Sequence, residues 1–295
     1  MNVTGPNPTA ASSRLADLAP GVITAVAFAF SDVFAKMTFA AGMDPLSLST
    51  FRSLFAVVFM FGWLRWRPPP VPHTPRQRWI ALGVGVLFAG IVFSLFQSIA
   101  LTTVPVAILA YFVYPLLTGV IGALIGLDKL GWRGAVAAVM AFAGLSLIVG
   151  ASPGQIALAG LAFALGGACL RTGVLLITRA ALLGADARLI SWYALVSSSA
   201  IFVVWSLATW NWHPPQTGTG WFALLVVSVT VTIAVLTLFI SINRIGPFRS
   251  ALIMNLEPLL VTIISAPLLG EVMTPLQGLG GAIMLGALVA FQLKR

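Results

Sequence analysis

The stretch from Trp79 to Leu101 reads WIALGVGVLFAGIVFSLFQSIAL and contains no charged residue. Roughly 20 consecutive apolar residues in an α-helix cross a bilayer core about 30 Å thick, so this stretch can span a membrane. Similar runs fill most of the 295 residues, of which 59% are hydrophobic and 8% are charged. An ordinary soluble domain is about a quarter charged. The sequence therefore predicts an all-α membrane protein.

Nine further apolar runs lie between turn-forming segments, which gives ten predicted transmembrane helices. The first 17 residues are polar and lack the apolar stretch of a cleavable signal peptide, so we predict an N-terminal tail that precedes a permanent first span. In chain order the spans are Leu18–Ala40, Pro45–Leu64, Trp79–Leu101, Pro105–Ile125, Trp132–Val149, Ile156–Thr178, Leu189–Trp210, Trp221–Ile242, Phe248–Leu269 and Leu276–Leu293.

Positive charge is confined to alternate ends of these spans. The opposite loops, around Asp44, Thr102, Ser152, His213 and Glu271, contain no Lys or Arg. The positive-inside rule then predicts that both termini are cytoplasmic, in a bacterial-type inner membrane. Because the charge is spread over short loops, the net charge of +9 does not indicate a nucleic-acid partner. The thirteen basic residues of the cytoplasmic set are Arg14, Arg65, Arg67, Arg76, Arg78, Lys129, Arg133, Arg179, Arg188, Arg244, Arg249, Lys294 and Arg295.

Two segments about 143 residues apart match each other. YPLL at 114–117 aligns with EPLL at 257–260, and a Gly-rich apolar helix follows each. A five-helix unit turns its second copy upside down, so we predict two inverted repeats, residues 18–150 and 151–295, around a central cavity. A mid-span proline removes a backbone hydrogen bond, and interrupted helices at matching positions point to a binding site. Pro115 and Pro258 are therefore the predicted helix kinks.

The segment from Arg244 to Phe291, with NLEP at 255–258 and LGE at 269–271, resembles the closing signature of EamA-type transporters in the drug/metabolite transporter superfamily. Asp44-Pro45 followed by Arg52 resembles the second helix of that family. The resemblance implies export of metabolites through a cavity lined mainly by the first, third, fourth, sixth, eighth and ninth helices. Within the family, the chain resembles YddG-type amino-acid exporters.

Five ionisable residues lie inside predicted spans, where each costs several kcal/mol unless it is paired or hydrated. Asp32 and Lys36 are four residues apart on one helix face, which predicts an ion pair with either a structural role or a role in substrate or proton handling. We expect Arg52 to anchor helices through Asp32 or backbone carbonyls. Arg171 suits structural pairing or anion binding, and Glu257 either accepts backbone hydrogen bonds or titrates during transport.

Uncharged polar groups in apolar spans also need partners or water, which marks candidate solute contacts. Tyr114 replaces the acid that the commonest family pattern has before the proline, and this weakens a mechanism with two symmetric proton-carrying carboxylates. Asp32 and Glu257 are nevertheless the candidates for proton transfer or gating. Aromatic walls with few polar anchors favour a small amphipathic solute, such as an aromatic or other neutral amino acid. The predicted substrate-binding residues are Gln97, Tyr111, Tyr114, Arg171, Asn255 and Lys36.

Sequence motifs for other chemistry are missing. The only cysteine is Cys169 and the two histidines, His73 and His213, lie in different loops, so we predict no disulfide, metal site, cofactor or enzymatic activity. The expected partners are a small solute and the lipid bilayer, with the protein acting as a monomer by alternating access. A drug or nucleotide-sugar carrier of the same superfamily, a channel and a membrane-embedded enzyme are the alternatives.

Overall fold

The computed structural model describes residues 8–68, 72–124, 157–182, 184–254, 256–271 and 273–293, and seven helical positions between 132 and 147. Within these ranges the regular elements are helices. Their bounds are α1 Pro8–Ala40, α2 Pro45–Trp66, α3 Pro75–Leu101, α4 Val104–Tyr111, α5 Tyr114–Leu124, α6 Leu158–Ala181, α7 Ala187–Thr209, α8 Gly218–Met254, α9 Leu256–Leu269 and α10 Pro275–Leu293.

The fifth predicted span, Trp132–Val149, lies mostly outside the described residues. The other predicted spans agree with the described helices in position, with three differences. Helix α1 already includes Pro8, the fourth predicted span is two short helices, α4 and α5, separated by Phe112 and Val113, and α8 runs past the eighth predicted span into the ninth. In the described part of the chain, seven helical segments are long and apolar enough to cross a membrane. The protein is thus a multi-pass helical membrane protein, and the count of ten spans stays a prediction.

Helix α8 turns back on itself near its end. The Ser241 and Ser250 hydroxyl oxygens lie 2.7 Å apart, although nine residues of straight helix would separate them by about 13 Å. The backbone therefore reverses between these two serines, where the sequence places the loop between the eighth and ninth spans. The last residues of α8 belong to the ninth span, which continues as α9.

The most extensive helix contacts join the two halves of the chain. In the repeat, α1, α2 and α3 correspond to α6, α7 and α8. Helix α1 packs along α8, and the corresponding pair, α6 and α3, is also in contact. Helix α2 packs on α8, and the corresponding pair, α7 and α3, is in contact as well. Helix α2 also packs on α7, and this pair maps onto itself when the halves are exchanged. Contacts that recur after such an exchange indicate two copies of one unit, as the sequence repeat predicts.

Equivalent helices run in opposite directions. Gly160, at the start of α6, lies against Leu101 and Thr102, close to the end of α3. The end of α1 lies at the same face of the molecule, because Lys36 donates a hydrogen bond to the carbonyl of Thr102. Thus α1 runs toward this face and α6 runs away from it, so the halves are inverted. We call this face, where the described loops without Lys or Arg lie, the outer end, after the orientation that the positive-inside rule predicts.

Asp44 organises a second group of contacts at the outer end. It is the N-cap of α2, where its Oδ2 accepts hydrogen bonds from the backbone amides of Leu46 and Ser47, at 3.0 and 3.3 Å. The same oxygen accepts from Asn211 Nδ2 at 3.0 Å, and Oδ1 lies 3.4 Å from His213 Nδ1. One carboxylate therefore ends the α1–α2 loop and holds the α7–α8 loop against it.

Replacing Asp44 by alanine is expected to lower the stability of the folded protein by about 1–2 kcal/mol, because a helix cap and its cross-loop bonds are lost together. Thermal unfolding in detergent measures this as a fall of about 2–4 °C in the melting temperature. Asp44→Asn retains an N-cap oxygen and is the matched control. Equal melting temperatures for Asp44→Ala and the wild type would contradict this role for the cap.

Two of the basic loops meet at the opposite end, which we call the inner end. The Arg188 guanidinium donates to the Arg67 carbonyl at 3.2 Å and to Asp186 Oδ2 at 2.9 Å. His73 is 4% exposed, and its ring lies 5.9 Å from the ring of Tyr193. Burial lowers the pKa of His73, so the folded state favours the neutral ring.

Stability is therefore expected to fall on acidification. In the unfolded chain His73 binds a proton below about pH 6.5, whereas in the folded chain it does so only at lower pH, so stability is lost as the pH falls below that value. His73→Phe keeps a ring beside Tyr193 but cannot titrate. Between about pH 7.5 and 5.5, the melting temperature of the wild type should fall further than that of this variant. An equal loss in both proteins would contradict the assignment.

Candidate functional site

A small cavity lies at the centre of the molecule, between the two halves. Its free volume is about 40 Å³, enough for about three water molecules. All the helices that the family resemblance implied contribute to its wall, and Arg52 adds α2. The lining residues are Phe28, Ser31, Asp32, Arg52, Phe88, Ile91, Val92, Leu95, Phe96, Tyr111, Tyr114, Arg171, Val231, Met254 and Glu257.

Both predicted kink prolines follow a residue of the cavity wall, Tyr114 or Glu257. Pro115 has no N–H to donate to the carbonyl of Tyr111, and α4 ends at Tyr111. Pro258 likewise cannot donate to the carbonyl of Met254. Tyr111 and Met254 are 143 residues apart and both line the cavity. Each half therefore brings one proline-containing segment to the cavity; the interruption before Pro115 is confirmed, and the kink at Pro258 stays a prediction because Asn255 lies outside the described residues.

Two carboxyl groups from opposite halves meet in the cavity. Asp32 of α1 and Glu257 of α9 are 2% and 3% exposed, both line the cavity, and their side chains interact with each other. The guanidinium of Arg52 interacts electrostatically with Asp32 and lies 5.0 Å from the ring centroid of Phe96. A hydrogen bond between two carboxyl groups requires a proton, because an ionised carboxylate can only accept.

Arg171 faces the carboxyl pair from α6. Its guanidinium carbon lies 5.7 Å from the Tyr114 ring centroid and 5.9 Å from that of Phe28, and the side chain also hydrogen-bonds with Tyr114. Tyr111 and Glu257 interact with it electrostatically. Arg171 is 3% exposed, so these aromatic and acidic groups replace water around its charge.

Three polar atoms at the cavity are left unpartnered. Among the residues that the structure describes, Asp32 Oδ2, Arg52 Nε and Arg171 Nε form no hydrogen bond although they are buried. Buried polar atoms in proteins are nearly always hydrogen-bonded, because desolvation without a partner is costly. One acceptor and two donors on residues that line one cavity therefore lack a protein partner and are suited to hydrogen bonds with a polar solute or with water.

Lys36 lies at the outer end and makes a different set of contacts from the predicted pair with Asp32. Its Nζ donates to the carbonyls of Ile99 and Thr102 at 2.7 and 2.6 Å and lies 3.8 Å from Glu271 Oε1. Glu271 Oε2 accepts from the backbone amide of Val104 at 2.8 Å. The long lysine stem lets the ammonium reach this polar end, so the predicted Asp32–Lys36 ion pair is corrected. We call Lys36 and Glu271 the outer latch.

Three of the six predicted substrate-binding residues, Tyr111, Tyr114 and Arg171, line the cavity together with Asp32 and Glu257. Lys36 belongs to the latch instead. Gln97 is half-buried on α3 and is not among the lining residues. Asn255 lies outside the described residues.

Arg52 is the lining residue that sequence reasoning assigned only to helix anchoring. Its position in the outer part of the second span gave no sign that the side chain reaches the cavity. The signal was the acid in the first span, because a buried guanidinium tends to approach a buried carboxylate.

A family model described as the EamA-like transporter family matches residues 18–150 and 158–291. The chain belongs to the EamA-like transporter family. Each match covers one half, so the inverted halves of this EamA-like protein are two copies of the family unit. Membership makes the chain a membrane transporter of the drug/metabolite superfamily.

The fold of this EamA-like protein is shared by a solved structure titled only "Crystal structure of protein". The two align with a TM-score of 0.66 over 92% of this chain and 99% of the other, at 18% sequence identity. At this identity the likeness shows the fold alone. None of the curated proteins matches the sequence.

Proposed function

We propose that this EamA-like protein exports amino acids across a bacterial inner membrane by alternating access at the central cavity. The observation that carries the proposal is the set of three unpartnered polar atoms at the cavity. An amino-acid zwitterion presents the complementary groups. Its ammonium can donate to Asp32 Oδ2, and its carboxylate can accept from the Nε of Arg52 or Arg171.

The aromatic wall supports neutral and aromatic side chains as cargo. Phe28, Phe88, Phe96, Tyr111 and Tyr114 surround the charged groups with apolar and π surface. Such a lining holds a side chain of moderate size without further charged partners. We also propose that the protein resembles YddG-type exporters in its cargo, transports outward and acts as a monomer.

The outer latch supports an alternating mechanism. It joins α1 to the α3–α4 corner and to the residues after α9, so it closes the cavity from the outer end. The free volume of about 40 Å³ is smaller than an amino acid, so solute binding requires the two halves to move apart at one end. The latch at the outer end and the small cavity favour a carrier over a continuous channel.

Orientation follows from charge. Arg67 and Arg188 meet at one end, whereas the Asp44 and Glu271 loops are at the other. With the positive end inside, both termini are cytoplasmic. Cysteine labelling of intact cells tests this, and a His213→Cys protein in a Cys169→Ser background should react with an impermeant maleimide from outside. Reaction only after permeabilisation would reverse the orientation.

Flux in proteoliposomes tests the proposed cargo. Vesicles are loaded with a labelled aromatic amino acid, and efflux is measured against the unlabelled amino acid, its ethyl ester, its N-acetyl derivative and a nucleotide sugar. We expect saturable efflux that the amino acid inhibits at least about tenfold more strongly than either derivative, since each derivative lacks one charged group. Inhibition by the nucleotide sugar alone would replace the proposal with the alternative carrier. Non-saturable efflux would indicate a channel, and absence of efflux would overturn transport of this cargo.

A further inference from the structure

Asp32 and Glu257 are two buried acids on helices from opposite halves of the transporter, and they line one cavity together with Arg52 and Arg171. From this arrangement we infer that the pair holds one exchangeable proton and that the ammonium group of the solute replaces it. The protein is then a proton/amino-acid antiporter. This inference rests on the proposed function and adds the coupling ion.

The surroundings of the pair allow such an exchange. Charged and titratable side chains face it from α2, α4, α5 and α6, and α3 and α8 line the cavity with apolar residues. With one shared proton, the acids carry one negative charge against the two positive charges of the guanidinium groups. A carboxylate from the solute is attracted to the remaining positive charge. The charged and titratable groups facing the pair are Arg52, Tyr111, Tyr114 and Arg171.

The exchange of a proton for an ammonium group also balances in protons and in charge. A primary ammonium is a cation that donates hydrogen bonds, so it can bridge two carboxylates where a proton did. When it enters, the shared proton leaves to water, and the solute carboxylate binds the Arg171 guanidinium. The solute-loaded site is neutral, while the proton-loaded site carries one positive charge. Proton and ammonium therefore compete for one place, which is the requirement for antiport.

The position of the pair links this exchange to movement of the protein. Asp32 lies one turn before Lys36 on α1, and Glu257 lies on α9 immediately before Pro258. The proton between the acids ties α1 to α9 at the cavity, as the outer latch ties α1 to Glu271 at the outer end. Replacing the small proton by an ammonium must push the two acids apart, and with them the two helices.

Infrared spectroscopy tests the shared proton without any solute. Purified wild-type protein at neutral pH should show the C=O stretching band of a protonated carboxylic acid, which disappears on strong alkalinisation. The band should shift or disappear in Glu257→Gln and in Asp32→Asn, and it should remain in the control variant Asp44→Asn. Each variant is checked for a single peak in size-exclusion chromatography. Absence of a protonated-carboxyl band in the wild type at neutral pH would overturn the inference whether or not amino acids are transported.

Proteoliposomes with a pH-sensitive dye test the coupling, with the membrane potential clamped by potassium and valinomycin. At one proton per amino acid, a gradient of one pH unit should drive about tenfold accumulation of the amino acid against the proton flow. The N-acetyl derivative should move no protons. In Glu257→Gln the remaining flux should lose its response to the pH gradient, whereas Asp44→Asn should keep it. Saturable amino-acid flux without proton movement in the wild type would overturn the inference and leave the proposed function standing.

Discussion

Replacing Arg171 by alanine should reduce amino-acid flux in proteoliposomes at least about 100-fold. The side chain is 3% exposed, and its charge faces Glu257 and the ring of Tyr114. Removing one partner of a buried charge pair typically costs about 3–5 kcal/mol, because the other charge stays buried without compensation. The carboxylate of the solute loses its proposed partner at the same time, so both binding and the arrangement of the cavity should suffer.

The lysine variant separates charge from shape at this position. Arg171→Lys keeps a positive charge, but a lysine lacks the planar group that lies beside Phe28 and Tyr114 and can bind a carboxylate with two hydrogen bonds. We expect it to recover less than about a tenth of the wild-type flux, by the same energy scale. Melting temperatures in detergent show whether each variant is folded. Wild-type flux in a folded Arg171→Ala protein would contradict the role of Arg171 in solute binding.

Breaking the outer latch should shift the protein toward a form that is open at the outer end. Lys36→Met removes the donor to the carbonyls of Ile99 and Thr102 and the ion pair with Glu271. Hydrogen bonds to charged groups contribute about 1.5–3 kcal/mol each, so the open form should gain at least about tenfold in population. Methionine keeps an unbranched side chain, one atom shorter than that of lysine, and can still pack along α1.

Spin-label distances measure this population directly. Labels at Ala40→Cys and Pro275→Cys, in a Cys169→Ser background, report the separation of α1 from the start of α10. Both positions are exposed, so the labels should not disturb packing. We expect one short distance in the parent protein and an additional longer distance in Lys36→Met and in Glu271→Gln. Identical distance distributions in all three proteins would show that the latch does not control opening.

Much of the fold follows from local sequence properties. The apolar run from Trp79 to Leu101 predicted α3 within a few residues, because span length is set by the thickness of the bilayer. The YPLL segment predicted the interruption between α4 and α5 beside the cavity, since a proline changes its own backbone wherever it occurs. The matching kink at EPLL stays a prediction. The inversion of the halves followed from the odd number of helices in each repeat.

Side-chain partners were harder to predict because they depend on how distant helices pack. The spacing of Asp32 and Lys36 on one helix indicated an ion pair, but Lys36 reaches the outer end and Asp32 reaches Glu257. A long side chain can reach partners on several helices, whereas helix periodicity describes only the contacts within its own helix. The place of Arg52 at the cavity was missed for the same reason, because it depends on how α2 packs against α1 and α3.

Accessibility of a single cysteine in the cavity tests alternating access most directly. Ser31 lines the cavity and is 1% exposed, so Ser31→Cys in a Cys169→Ser background places one thiol at the centre. Impermeant maleimide, applied to oriented vesicles from either face, should label this thiol from both faces. A transported amino acid should change the rate of labelling from the two faces in opposite directions. Labelling from only one face under all conditions, or equal labelling from both faces that no solute changes, would contradict a carrier that opens its central cavity to one side at a time.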